Sequence, residues 1–161
     1  MIKIIDNFLD DIQCKSIINL NNSLDTKLES DYTYTSYNQY LKKVSEEYIN
    51  DNVKYELEKI VPEFSKCEFK YLRLQFIDET IIQSKIFHKH INPFSFIIYL
   101  NDDFTGGELE FENEKIIIPK KGMMVYFSAE KHRVYNCIGK RWCLVGFLNN
   151  DMFAKKEKTI I

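Results

Sequence analysis

The chain has 161 residues, of which 45% are hydrophobic and 14% aromatic, and its formal net charge is −2. This length suits one domain, and the apolar content is enough to bury a core without disulfide bonds. The balanced charge argues against a nucleic-acid-binding surface, which is typically basic. No apolar run reaches the roughly 18 residues that a membrane span requires, so we expect no membrane association.

The cysteines and the N-terminal residues predict a reduced, cytoplasmic protein. The four cysteines form no C-x-x-C pair, and the first residues lack the basic region and the cleavage site of a secretory signal. We therefore expect reduced core cysteines. They are Cys14, Cys67, Cys137 and Cys143. The sequence sets no expectation for the oligomeric state.

The first 66 residues are predicted to be a mainly helical support. Residues 2–5 indicate a short strand, and Asp10 is a candidate N-cap for a helix that the NLNNS run ends. The tyrosine-rich residues 31–40 suit an extended segment or a lid. A longer helix is predicted over 41–60, ending before Pro62. The apolar positions that suggest the first helix are Ile12, Ile17, Ile18 and Leu20.

From residue 67 onward the pattern changes to short strands. Eight apolar runs follow one another, separated by turn signals such as TGG and PKKG, with no room for crossover helices. This predicts an antiparallel, jelly-roll-like barrel with one or two helices packed outside. The runs are CEFKYLRLQFI, IFHKH, FSFIIYLN, GELEF, KIIIP, GMMVYF, HRVYNC and RWCLVGFL. We expect a single domain over 1–161, with its β core at 67–150 and a tail at 151–161.

The three histidines of the chain are placed where they can converge. His88 and His90 form an H-x-H pair on one predicted strand, where residues two apart share a face, and His132 begins a later strand. A lone histidine is usually an ordinary hydrogen-bonded residue. Three of them inside one barrel favour a catalytic metal centre, which needs protein ligands and open positions.

Arg141 is the candidate anion-binding residue. It lies among the apolar residues of GKRWCLVGFL, where a buried arginine is costly unless it faces an anion. Its planar guanidinium suits a carboxylate. The alternative is a surface arginine on the outer side of the barrel. Tyr99 could donate its hydroxyl to the same carboxylate, although a core aromatic residue is the simpler interpretation.

The stretch from His88 to Leu148 resembles the core of the prolyl-4-hydroxylase-like 2-oxoglutarate/iron(II) dioxygenases. The segments FIIYLNDDFTGGELEF, IIIPKKGMMVYFSAEKHRV and GKRWCLVGF carry this resemblance, and IIDNFLDDIQCKSII is similar to the family's N-terminal strand and helix. The resemblance implies a double-stranded β-helix, related to the cupins, with N-terminal helices packed outside.

The same resemblance implies the residue roles. His88 and His132 become metal ligands for Fe(II), and Arg141 binds the distal carboxylate of 2-oxoglutarate with the help of Tyr99. Ascorbate is a further candidate cofactor. The implied enzyme is an oxidoreductase that hydroxylates a C–H bond of a peptidyl or free amino acid, so a peptide or small molecule is its expected substrate.

One position departs from the family. Its H-x-D motif reads His88-Lys89-His90 here, so a histidine replaces the carboxylate ligand. Either His90 coordinates and completes a three-histidine site, or the register shifts so that His90 and Asn92 take these places. We expect the first, because the loop to the next strand is already short. Two alternative functions stay open: a three-histidine oxygenase that does not use 2-oxoglutarate, and a non-catalytic binding module.

Overall fold

The computed structural model describes residues 1–23, 44–48, 51–77 and 87–153. The helices are α1 (Asp11–Ser23) and α2 (Asp51–Ile60), followed by a 3-10 helix at Pro62–Lys66. The strands are β1 (Ile2–Ile5), β2 (Val44–Tyr48), β3 (Phe69–Ile77), β4 (Phe94–Tyr99), β5 (Thr105–Gly106), β6 (Leu109–Phe111), β7 (Ile116–Ile117), β8 (Met124–Ser128), β9 (His132–Val134), β10 (Cys137–Ile138) and β11 (Arg141–Leu148).

Six strands form one large sheet in the order β1-β8-β4-β11-β3-β2. Strands β7, β6 and β9 form a small sheet, and β5 pairs with β10. Every one of these pairings is antiparallel. The predicted antiparallel β core with helices outside is therefore confirmed for the described residues.

The outer face of the large sheet packs against the helices. Alternation along β4, β8 and β11 turns every second side chain to this side. There Phe96 stacks on Phe64 of the 3-10 helix with ring centroids 5.6 Å apart. A Cβ at Gly146 would overlap the ring of Phe96, so only glycine fits opposite it. The buried outer-face residues include Leu72, Leu74, Phe96, Ile98, Met124, Tyr126, Leu144 and Leu148.

The inner face of the large sheet packs against the small sheet and forms a second core. Its members are the intervening residues of the same strands, together with side chains from β6 and β7. The two faces therefore share strands but bury separate sets of side chains. The inner-face core includes Ile97, Tyr99, Leu109, Phe111, Ile117, Val125, Phe127, Cys143, Val145 and Phe147.

The predicted N-terminal strand and helix cap are both present. Residues 2–5 form β1, which pairs with β8 at the edge of the large sheet. The Asp10 carboxylate accepts the Gln13 amide at 2.7 Å, and the Gln13 side chain accepts the Asp10 amide at 2.9 Å. This reciprocal capping box begins α1. The helix ends at Ser23, the last residue of the NLNNS run, in agreement with the prediction. Ile12 is 75% exposed, so it lies off the apolar face of the helix.

The predicted helix over 41–60 is wrong in its first part. Residues 44–48 form β2, which pairs with β3 at the edge of the large sheet, and α2 begins only at Asp51. The helical spacing of apolar residues there misleads because a strand partner distant in sequence decides the local structure. With β1 and β2 in the large sheet, residues 1–66 are more than a helical support. The tyrosine-rich residues 31–40 lie outside the described residues.

Two further boundaries differ from the prediction. The run IFHKH is not a strand: within its described residues, only His88 makes an isolated bridge, to His132. The predicted tail begins too early, since Phe153 is 6% exposed and packs edge-on against Tyr126. The Tyr126 hydroxyl also donates to Asp151 at 2.7 Å. Residues 154–161 lie outside the described part of the chain. None of the described helices is long and apolar enough to cross a bilayer.

Candidate metal centre

His132 is the buried member of a histidine cluster on the inner face of the small sheet. It begins β9 and is 3% exposed, with its ring 4.8 Å from that of Phe127. Its Nδ1 lies 2.9 Å from the backbone carbonyl oxygen of Glu130. Because a carbonyl oxygen can only accept, Nδ1 carries the proton and donates it. The lone pair of Nε2 then remains for a metal, as is usual for ligating histidines.

The surroundings of His132 keep its imidazole neutral. Burial lowers its pKa to about 4, and the nearby His88 acts in the same direction. The hydrogen bond to the Glu130 carbonyl opposes this effect in part. A neutral imidazole is the form that binds a metal ion, so no proton has to leave His132 at neutral pH when a metal binds.

His88 is joined directly to the backbone of His132. Each residue donates its amide to the carbonyl of the other at 2.9 Å, which makes an antiparallel bridge. Directly opposed residues project their side chains to the same face. Their ring centroids are accordingly 4.5 Å apart. His88 is exposed, so this side of the cluster is open to solvent.

His90 completes the cluster although it lies in irregular backbone, just before the bend at residues 91–93, and not on a strand. Its ring centroid is 5.2 Å from that of His88 and 5.0 Å from that of His132. On its other side the His90 ring packs against Phe147 of β11, with the two ring centroids 4.6 Å apart. The nitrogen ligand atoms of the three histidines all lie within 4.8 Å of one another. The convergence predicted from the sequence is therefore present.

The donor set fits a divalent transition metal. Imidazole nitrogens suit iron, zinc, copper and nickel, and a ligand distance of about 2.0–2.1 Å requires only a small closing movement of the three rings. Three protein ligands leave coordination positions for other molecules on the solvent side. The geometry supports the three-histidine interpretation over the register shift to Asn92, while coordination by His90 stays a prediction.

Arg141 begins β11 on the inner face, with its side chain only 3% exposed. This overturns the alternative of a surface arginine on the outer side of the barrel. Cys143 follows two residues later on the same face, opposite Tyr99 of β4 in the strand register. Tyr99 is 1% exposed, and burial raises the pKa of its hydroxyl, so the hydroxyl keeps its proton as a donor.

The last glycine of the TGG segment, the first two residues of which form β5, lies close beside Arg141. A Cβ at Gly107 would lie 3.3 Å from Arg141 Nη1 and 3.3 Å from the ring of Phe104. Gly107 has φ +75°, so a side chain there is both strained and crowded. A guanidinium and a tyrosine hydroxyl, with no side chain at Gly107 to crowd the guanidinium, suit the carboxylate end of a small dicarboxylate. The roles of Arg141 and Tyr99 stay predictions.

Sequence reasoning missed two groups that support the site. Asn101 accepts the Trp142 amide at 2.7 Å and donates to the Lys140 carbonyl at 2.7 Å, which holds the start of β11 on both sides of Arg141. On β9, Arg133 pairs with Glu110 at 2.5 Å, directly behind the histidines. The polar Asn101 at the end of the apolar run FSFIIYL was a visible signal in the sequence. The Arg133 pair was not, because it depends on the strand register.

The comparisons with known proteins agree with this site. Residues 82–149 match the model of the 2OG-Fe(II) oxygenase superfamily, a segment that contains all three histidines, Tyr99 and Arg141. No curated protein sequence matches the chain. The predicted oxidoreductase class, with iron(II) and 2-oxoglutarate as cofactor and co-substrate, is confirmed by this match.

Solved structures share the fold. The chain is similar to viral collagen prolyl hydroxylase from Paramecium Bursaria Chlorella virus-1, solved as a 2OG complex, at 14% identity and a TM-score of 0.58, covering 91% of this chain and 94% of that chain. It is also similar to a Pseudomonas putida prolyl-4-hydroxylase at 13% identity and a TM-score of 0.58, covering 93% and 92%. At such identities the likeness shows the fold alone, and it confirms the predicted double-stranded β-helix.

Proposed function

We propose that this chain is an Fe(II)- and 2-oxoglutarate-dependent hydroxylase that acts on a C–H bond of a peptidyl or free amino acid. The observation that carries the proposal is the convergence of His88, His90 and His132 to within 4.8 Å inside the segment that matches the oxygenase family. The prolyl hydroxylase fold of the neighbours supports an amino-acid substrate, peptidyl or free.

In this proposal each described residue has one task. His88, His90 and His132 hold the metal, and the proton on His132 Nδ1 directs Nε2 toward it. Arg141 and Tyr99 bind the distal carboxylate of 2-oxoglutarate. When bound, iron(II) and 2-oxoglutarate use dioxygen to hydroxylate the substrate and release succinate and carbon dioxide. The apolar inner face excludes water around Cys143 and Val145, which strengthens the charge pairing at Arg141.

The histidine at position 90 favours one second candidate. Three neutral imidazoles leave the metal site one charge more positive than two imidazoles and a carboxylate, which changes the reactivity of the metal. The second candidate is therefore a three-histidine protein that binds metal without 2-oxoglutarate turnover, either as another kind of oxygenase or as a binding module. The buried guanidinium of Arg141 supports the hydroxylase over this candidate.

The test begins with metal and co-substrate binding to the purified protein under anaerobic conditions. We expect one Fe(II) per chain, 2-oxoglutarate binding that requires the metal, and succinate release when dioxygen is admitted with a suitable peptide. A His88→Ala, His132→Ala double variant should lose metal binding by at least about 100-fold, since two of three protein ligands are gone. Lys89→Ala, at an exposed residue between two of the histidines, is the matched control.

The outcomes separate the candidates. Metal binding with 2-oxoglutarate binding and succinate release supports the hydroxylase. Metal binding without 2-oxoglutarate binding removes the hydroxylase and favours the three-histidine alternative. Unchanged metal affinity in the double variant means that the histidines are not the site.

A further inference from the structure

The segment that carries His88 and His90 is attached to the sheets at a few identified points. The backbone of His88 pairs with that of His132, and the Ala129 amide donates to the Pro93 carbonyl at 3.3 Å. Between these two points, residues 89–93 have no regular secondary structure. The position of two histidines therefore depends on how firmly the start of this segment is held.

Phe87 and Arg133 meet on the opposite face from the histidines. His88 and His132 are directly opposed in an antiparallel bridge, so the next pair outward is Phe87 with Arg133, on the reverse face. The contact is observed: the Arg133 guanidinium carbon lies 4.4 Å from the centroid of the Phe87 ring. A cation over an aromatic face at this distance is attractive.

Arg133 is itself held from the other side. Glu110 is its partner in the register of β6 and β9, and the Arg133 Nε donates to the Glu110 carboxylate at 2.5 Å. The same carboxylate oxygen accepts the Tyr135 hydroxyl at 2.7 Å. The side chain of Glu110 is 12% exposed and that of Arg133 is 26% exposed, so the pair is more shielded than an ordinary surface ion pair.

We propose that Arg133 is a positioning residue of the metal centre, which holds Phe87 against the reverse face of β9 and so fixes His88 and His90 beside His132. The proposal rests on the proposed histidine metal site. Arg133 connects a fixed strand pair, β6 and β9, to the segment that carries two of the ligands. Without Arg133, His88 keeps its backbone bridge to His132, but the neighbouring Phe87 loses its contact with the Arg133 guanidinium.

The direction in which metal affinity changes when Arg133 is replaced distinguishes a positioning role from a purely electrostatic one. Arg133 and Glu110 together carry no net charge. Removing the arginine alone leaves the Glu110 carboxylate behind the site, and a negative charge there attracts a divalent cation. Electrostatics therefore predicts tighter metal binding in Arg133→Met, whereas loss of positioning predicts weaker binding.

The experiment measures Co(II) binding to the full chain by titration and by visible absorption, which reports the ligand geometry. We expect Arg133→Met and Phe87→Leu each to weaken Co(II) affinity by at least about threefold and to change the cobalt spectrum. Arg133→Lys, which keeps a cation over the ring, should restore part of the affinity. The control is Lys59→Met on α2, since Lys59 also lies over an aromatic ring, Tyr55 at 4.3 Å, and pairs with Glu56 at 2.7 Å. It should leave the affinity unchanged.

Equal or tighter Co(II) binding by Arg133→Met, with loss of binding in His132→Ala, overturns the positioning role and leaves the metal centre intact. If the parent protein does not bind Co(II), the metal centre itself is wrong and the positioning role falls with it. Should Arg133→Met fail to fold, Phe87→Leu decides alone, because it keeps the ion pair with Glu110. Unchanged affinity in Phe87→Leu then overturns the proposal.

Discussion

The two faces of the large sheet use the same strands for different purposes. On the outer face, Phe96 and Leu144 are completely buried against helices, and the packing is apolar. On the inner face, Tyr99, Cys143 and Val145 line the barrel, and the buried polar groups His132 and Arg141 lie on this side. Buried polar groups destabilise a fold unless they form hydrogen bonds or ion pairs. The apolar outer face therefore stabilises the fold, whereas the buried polar groups of the inner face serve ligand binding.

This division predicts two separable classes of variant. A substitution on the outer face should change the free energy of unfolding, and one at the inner site should change ligand binding. Alternation along β4 connects the two faces, because Phe96 and Ile97 are neighbours in sequence but belong to the outer-face and the inner-face core respectively. An outer-face variant that folds but loses ligand selectively, or an inner-site variant that only unfolds, contradicts the division.

The largest effect is expected on the outer face from Phe96→Ala. This ring is fully buried, stacks on Phe64 and lies over Gly146, so its removal leaves a cavity. We expect a loss of about 3–5 kcal/mol in the free energy of unfolding, measured by urea denaturation. Tyr55→Ala, at a residue that is 61% exposed on α2, should change it by less than about 0.5 kcal/mol. A cost under 1 kcal/mol for Phe96→Ala means that this face is not the main source of stability.

The next effect concerns the pH dependence of the free energy of unfolding of the metal-free protein. His132 has a pKa of about 4 when folded, against 6.5 for the ordinary side chain, chiefly because it is buried. Stability from the neutral imidazole is present above pH 6.5 and is lost as the pH falls toward 4, because the unfolded chain binds the proton first. We expect a loss of roughly 2–3 kcal/mol in this window. Urea denaturation at pH 7 and pH 4.5 measures it, and His132→Gln should show a smaller loss. Equal losses in both proteins exclude His132 as the cause.

His90 tests the comparison between the two faces, because its ring contacts Phe147 of the inner-face core and also belongs to the histidine cluster. If His90 coordinates, His90→Ala removes one of three protein ligands and should lower metal affinity by about 10- to 100-fold. His90→Asp should preserve or raise 2-oxoglutarate turnover, since it returns the charge of the family's motif. Anaerobic metal titration and succinate release measure the two effects. Unchanged metal affinity in His90→Ala indicates a two-histidine site in which His90 only packs against Phe147.

Arg141→Ala should have the smallest of these effects, confined to the co-substrate. Loss of a buried, charge-assisted pair should weaken 2-oxoglutarate binding by more than tenfold, which is about 1.4 kcal/mol. Metal affinity should stay the same, because Arg141 is not one of the three candidate metal ligands. Calorimetry with both ligands measures this. Lys140→Ala, at the exposed neighbouring cation, is the control, and equal weakening in both variants argues for a general charge effect.

The β core and the cluster of histidines could be predicted from the sequence because both follow from local patterns. Alternating apolar residues indicate strands, turn residues separate them, and the motif with His88 and His90 needs only one later histidine to complete a site. The inward position of Arg141 follows from its apolar neighbours. The contacts that form these features join residues distant in sequence, such as His88 and His132, but the residue types and spacings that predict them can be seen locally.

The missed features depend on pairings that no local pattern contains. Strand β2 was predicted as a helix because its partner β3 lies more than 20 residues later. The segment at His88 was predicted as a strand, but only one residue bridges to β9, itself three residues long. The contacts of Arg133 required the register of β6 against β9, which places Glu110 opposite it.

The pairing of β1 with β8 also has a consequence for how the protein folds. Ile2 lies opposite Phe127, so the edge of the large sheet closes only after most of the chain has been brought together. Sheets built from such distant segments have a high contact order and fold slowly. Strand β8 leads directly into the segment before His132, so closing this sheet edge also fixes the strand that precedes a candidate metal ligand. A refolding chain in which β1 is not yet paired is therefore expected to take up metal poorly, and metal uptake during refolding should follow the closing of this edge.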